Sequence, residues 1–207
     1  MKSRLIVFVI MPFMLFLFCS ACSNNRSKQR TTESEVNSDS GNKYGGYNSQ
    51  AEWGEHLVTI SGCNDCHTPK KMSPYGPVPD TSLLLSGHPA DVPPPDINRK
   101  EIESKGLAAT SDLTVWVGPW GISYAANITP DETGIGSWSE AQFIRSIREG
   151  KLKGLENSRQ LLPPMPWQEL AKMTDGELKA IYAYLKSVKP VRNVVPLPLP
   201  PISLKTN

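Results

Sequence analysis

The sequence predicts an all-α fold interrupted by a long Pro- and Gly-rich insertion. Three observations carry that expectation. Three segments pair a helix-start signal with apolar residues at helical spacing. No run alternates long enough to build a sheet. The residues between Thr68 and Gly136 are rich in Pro and Gly, including Pro93-Pro94-Pro95-Asp96.

Each helix has its own signals. The first opens with Ser49-Gln50-Ala51-Glu52, a capping-box pattern, and runs through Leu57 and Ile60 to Gly62. The second opens with Ser139-Glu140-Ala141-Gln142, places Phe143, Ile144 and Ile147 on one face, and stops at Gly150. The third opens with Thr174-Asp175-Gly176-Glu177, carries Leu178, Ile181, Tyr182 and Leu185, and ends at Pro190. Gly54 on the first and Tyr182 or Tyr184 on the last suit a close helix crossing. A short helix is expected around Pro95 to Lys105 inside the long insertion. Loops of that length within a domain are usually functional or held by another group.

Cys63-Asn64-Asp65-Cys66-His67 carries the chemistry. Two thiols three positions apart can add across the two vinyl groups of one haem, and the imidazole that follows can reach the iron as proximal ligand. The spacing therefore points to one covalent haem c on Cys63 and Cys66, with His67 as an axial ligand. Three other readings exist for a bare Cys-x-x-Cys. A structural zinc site needs four ligands, and beyond this motif only His56, His88 and the leader cysteines Cys19 and Cys22 are on hand. A redox-active disulfide would sit near a βαβ pattern. A structural disulfide across so short a loop would add little stabilisation.

The start of the chain points to export. Lys2 and Arg4 precede an apolar run from Leu5 to Phe18, too short for a comfortable membrane span. Cys19-Ser20-Ala21-Cys22 resembles a lipoprotein cleavage site, with Cys19 where Leu or Val is commoner, so residues 1–21 read as a signal peptide and Cys22 as a lipid anchor. The alternative is ordinary cleavage near Ala21 and release. Firm anchoring needs two or more acyl chains. Residues 22–47 read as a flexible polar tether, 48–190 as a monohaem domain and 191–207 as a Pro-rich C-terminal strap. Without Lys2 and Arg4 the formal charge of +2 falls to zero, and nothing suggests nucleic acid. A hydrophobic content of 39% suits a core that is partly porphyrin.

The second axial ligand is sought among soft donors. Leu161-Leu162-Pro163-Pro164-Met165-Pro166-Trp167 sets a methionine among prolines, which reduce the freedom the loop would lose on ligation. A thioether raises the iron potential relative to a second histidine. Met165 is the expected sixth ligand, and Trp167 can pack on the porphyrin edge. Met72 and Met173 suit the role of core filler. His88, between Gly87 and Pro89, is the rival ligand, although a surface or turn position suits it better.

These segments, with Asn127-Ile128-Thr129-Pro130-Asp131 through Gly134, Gly136 and Trp138, resemble a class I c-type cytochrome. More narrowly, they resemble the haem domains of membrane-associated bacterial cytochromes c, including cytochrome subunits of periplasmic alcohol and aldehyde dehydrogenases. The resemblance covers about Ala51 to Lys189, and this chain has one haem motif where those subunits hold several. It implies cytochrome c-like helices around a covalent haem. It also implies propionate partners, for which Trp138, Tyr124, Asn127 and Arg159 are candidates. The implied role is a membrane-tethered one-electron carrier outside the cytoplasm, served by a redox-protein donor and acceptor. The alternatives are a haem enzyme or ligand sensor, such as a peroxidase or gas binder, and an electron-accepting subunit of a dehydrogenase complex.

Overall fold

The computed structural model describes residues 43–202; the signal-peptide, Cys22 and most tether expectations lie outside them. The elements in order are α1 (Gln50–Ile60), α2 (Cys63–His67), β1 (Lys70–Ser73), β2 (Gly76–Pro79), α3 (Arg99–Lys105), β3 (Ala108–Ala109), β4 (Val115–Gly118), β5 (Gly121–Tyr124), α4 (Glu140–Arg148), α5 (Trp167–Leu170) and α6 (Asp175–Ser187).

The helices begin where capping chemistry places them. Ser139 and Thr174 each close a reciprocal capping box, with Gln142 and Glu177. At α1, Ser49 accepts from the Glu52 N–H, but the Glu52 carboxylate turns to the backbone and side chain of Asn48 instead. The expected box is thus only half made. Asn98 caps α3 in the same way as Ser49 caps α1. Helices α1 and α6 cross at Gly54, where an added Cβ would overlap the Ala180 carbonyl and come 2.8 Å from the Tyr184 Cβ. Only a glycine lets the two backbones approach so closely. Around this crossing Leu57, Val58, Phe143, Leu178, Ile181 and Leu185 form the main core. Ile60, in the last turn of α1, is 64% exposed.

The all-α expectation is overturned. Among the described residues 35% are helical and 13% lie in strands, which form two antiparallel sheets, and the fold is mixed. β1 and β2 form a hairpin turned by Pro74-Tyr75, and β3-β4-β5 form a three-stranded sheet whose last hairpin turns at Pro119-Trp120. The physical reason lies in burial and length. β4 is buried along its whole length, so Val115-Trp116-Val117-Gly118 shows no polar alternation. β1 and β2 are short, and β2 contains Pro77 and Pro79. Val115, Val117 and Ile122 make a second apolar cluster with Ile97, Ile102 and Leu199.

The C-terminal strap runs over the domain. Ile122 and Leu199 exchange two backbone hydrogen bonds of 2.8 and 3.0 Å, extending the edge of β5. Asn193 donates to the carbonyls of Ser86 and His88 and accepts from the Ala90 N–H. Arg99 on α3 donates to the Pro200 carbonyl at 2.8 Å. At the other end, residues 43–47 form a turn beside α1, with the Tyr47 and His56 rings 5.2 Å apart.

Candidate functional site

Gly62, at φ +68, gives the chain the left-handed turn that ends the α1 region and starts α2. That single helical turn carries Cys63, Cys66 and His67, all half-buried. The two cysteines are free thiols. Burial pushes the Cys63 thiol up to about 11, with Cys66 and Asp65 adding to the rise and a backbone hydrogen bond opposing it. Burial also raises Cys66, against the lowering effect of Lys70. Both are therefore neutral thiols near pH 7.

His67 is oriented by a single bond. Its Nδ1 lies 2.7 Å from the Ala126 carbonyl oxygen. A carbonyl can only accept, so Nδ1 carries the proton and Nε2 keeps its lone pair. Burial holds the imidazole below its usual pKa, only partly offset by the Ala126 carbonyl. The turn is tied down around this residue. Gly87 N–H donates to the His67 carbonyl at 2.8 Å, and Leu85 N–H donates to the Thr68 hydroxyl at 3.0 Å. Lys70 bridges the Asp65 carbonyl and the Asp112 carbonyl.

Met165 is half-buried in the loop before α5 and packs against the same core cluster as Cys63 and Trp138. A cleft of about 220 Å³ is formed by this loop, from Leu161 to Gln168. A larger cleft, about 580 Å³, lies between α4 and residues 154–158, away from the Cys-His turn. Leu161 N–H donates to the Gly150 carbonyl at 2.6 Å. The Trp167 ring covers Gly150 so closely that an added Cβ would come 2.5 Å from its Cδ2.

The remaining candidates are dispersed. Trp138 gives its carbonyl to the Tyr182 hydroxyl at 2.7 Å. Tyr124 ends β5, packs on the second cluster, and has its ring 5.1 Å from that of His88. Asn127 is buried, and its amide is engaged in the fold. It donates to Thr133 and to the Val191 carbonyl of the strap and accepts from the N–H and hydroxyl of Thr129. Arg159 is exposed and donates to the Gln160 carbonyl. Two expectations are corrected here. His88 is 1% exposed, not a surface residue, because its ring is held between Thr114 and the Val92 carbonyl. Met72 is 71% exposed on the β1–β2 hairpin and fills no core.

Sequence reasoning missed Ser123 on β5, which donates to the Pro163 carbonyl, and Ala126 just beyond β5, which accepts from His67. The turn signals Gly118-Pro119-Trp120-Gly121 mark the hairpin that carries Ser123. Neither residue's partner is visible from local pattern, since both partners are distant in sequence.

The donor set fits a c-type haem: two free thiols and an imidazole with an available Nε2 share one helical turn, and a thioether borders the same core. No family model matches the chain. Over 79 residues it is 46% identical to a nicotinate dehydrogenase component of Pseudomonas putida, covering 38% of this chain and 6% of that protein. Over 140 residues it is 29% identical to the cytochrome c subunit of the quinone alcohol dehydrogenase of Gluconobacter oxydans, covering 67% of this chain and 21% of that one. Over 75 residues it is 43% identical to the gluconate 2-dehydrogenase cytochrome c subunit of Pantoea cypripedii, covering 35% and 16%. The chain thus spans a small part, 6% to 21%, of these curated relatives. The likeness supports a cytochrome c-like family and an electron-transfer cytochrome, and cytochrome c relatives imply haem c.

Proposed function

We propose that this chain is a monohaem c-type cytochrome that carries one electron between redox proteins outside the cytoplasm. In this reading Cys63 and Cys66 hold the haem as thioethers, and His67 and Met165 are the axial ligands. The observation that carries it is the α2 turn, where two free thiols precede an imidazole whose Nδ1 is committed to the Ala126 carbonyl. The haem iron, when bound, supplies the one-electron couple.

The chain's own residues prepare that site. The Ala126 carbonyl fixes the ring orientation and tautomer of His67, as outer partners of ligating histidines commonly do. Burial keeps the imidazole neutral and therefore able to donate its lone pair. The prolines around Met165 restrict the loop, which suits a weak neutral donor. A lipid on Cys22 would tether the domain to a bacterial membrane through residues 22–47 and concentrate it near partners there. Among the described residues no helix is long and apolar enough to cross a membrane.

A second reading makes the chain the electron-accepting subunit of a dehydrogenase complex. The names of the relatives favour it: subunits of alcohol, gluconate and fructose dehydrogenases are among them.

The test is the visible and near-infrared spectrum of protein matured in a haem-competent periplasm. A reduced c-type spectrum with a methionine-to-iron charge-transfer band in the oxidised protein is expected, with that band lost in Met165→Ala. Haem staining on a denaturing gel should vanish in the Cys63→Ala, Cys66→Ala double variant. Staining that persists there would exclude attachment at these thiols, and a band that survives Met165→Ala would exclude the sixth ligand.

A further inference from the structure

The Met165 loop is tied to the three-stranded sheet through a buried hydroxyl. Ser123, on β5, donates to the Pro163 carbonyl at 2.7 Å. The Trp120 indole N–H, from the β4–β5 turn, donates to the same serine oxygen at 3.0 Å. A serine hydroxyl has one proton and two acceptor sites. With one acceptor site filled by Trp120, the proton is aimed at Pro163.

The same segment serves the other axial residue. Three positions after Ser123, the Ala126 carbonyl accepts from His67 Nδ1. The segment between them is itself well held. β5 pairs with β4, Ala125 N–H continues that ladder to the Thr114 carbonyl, and Ile122 is bonded on its other edge to Leu199 of the strap. The other ties of the methionine loop, Leu161 to Gly150 and Trp167 over Gly150, run to the end of α4. Residues 123–126 therefore touch the elements carrying both axial candidates, and Ser123 supplies the tie on the methionine side.

We propose that Ser123 is a positioning residue for the Met165 thioether: by holding the Pro163 carbonyl two residues upstream, it keeps the loop in its ligating position, with Trp120 orienting the hydroxyl. This rests on Met165 being the sixth ligand. The physical reason is that a thioether binds iron weakly, so its occupancy depends on how well the loop is preorganised against competitors. A histidine ligand would depend less on such a tie.

The experiment is a titration of the oxidised holoprotein with imidazole, which competes for the sixth position, followed through the methionine charge-transfer band. Ser123→Ala should retain covalent haem but lose half its band at an imidazole concentration roughly two- to ten-fold lower than the wild type, as expected for the loss of one hydrogen bond. Trp120→Phe leaves the serine hydroxyl in place and should shift the midpoint in the same direction by less. It also decides the matter if Ser123→Ala fails to fold. Unmoved imidazole midpoints in the folded variants, with only the thermal midpoint lowered, would overturn the positioning role and leave Ser123 as an ordinary structural hydroxyl. A band that persists in Met165→Ala would instead overturn the ligand assignment, and this proposal with it.

Discussion

His67 and His88 show how the partners of two ring nitrogens separate a candidate ligand from a structural side chain. His67 has Nδ1 on the Ala126 carbonyl and Nε2 available. His88 has Nδ1 2.8 Å from the Thr114 hydroxyl and Nε2 2.9 Å from the Val92 carbonyl, so its ring is committed to the fold. The Thr114 hydroxyl also meets the Asp112 carboxylate at 2.7 Å. Burial pushes the Asp112 carboxyl up, but hydrogen bonds from Thr110 and Thr114 and the nearby His88 outweigh it and hold the carboxyl below its usual 3.8. A depressed carboxyl stabilises the fold above the unfolded pKa, and that contribution is lost as pH falls through the folded value. Asp112→Asn should therefore be less stable than the wild type at pH 7, with the difference shrinking as pH falls below about 3.8. Thermal unfolding at stepped pH checks this, and a difference that is constant with pH would mean the carboxylate charge plays no part.

Among the elements, helices were legible and strands were not. Capping residues and apolar spacing are local signals, and α1, α4 and α6 begin directly after the capping residues Ser49, Ser139 and Thr174, while α3, expected around Pro95 to Lys105, begins at Arg99. The strands carry no such signal, because β4 is buried on both faces and β2 is half proline. Gly54 and Tyr184 foreshadowed the crossing of α1 and α6, but the Ala180 carbonyl that lies closest to Gly54 came only from the structure. Gly54→Ala forces a Cβ against the Ala180 carbonyl and should cost about 1–3 kcal/mol, the range for overpacking a tight interface. Urea unfolding of the holoprotein measures it. A loss below about 0.5 kcal/mol, typical of a surface substitution, would show that the helices separate without penalty.

Across the whole molecule the strap and the insertion hold one another. Asn193 uses its side chain three times, on the carbonyls of Ser86 and His88 and on the N–H of Ala90, while Asn127 takes the Val191 carbonyl. The segment so fixed includes Gly87, whose N–H reaches the His67 carbonyl. Asn193→Ala should cost about 2–3 kcal/mol for three lost hydrogen bonds, and should open the strap to protease before the helices unfold. Limited proteolysis alongside a thermal melt tests both parts. Cleavage no faster than in the wild type would mean that the Ile122–Leu199 and Arg99–Pro200 bonds suffice to hold it.

By itself the sequence determined the chemistry on offer: two thiols and an imidazole within one turn, a methionine among prolines, and the starts of the main helices. These depend on residues within a few positions of one another, where spacing alone limits what can meet. Only the tertiary structure decided which side chains support that chemistry. It buried His88 and Asn127 in the fold, left Met72 and Arg159 exposed, and brought Ser123 to Pro163 and Ala126 to His67. Those pairs lie 40 and 59 positions apart, so their meeting depends on how a buried sheet folds back on the helices and not on any local pattern.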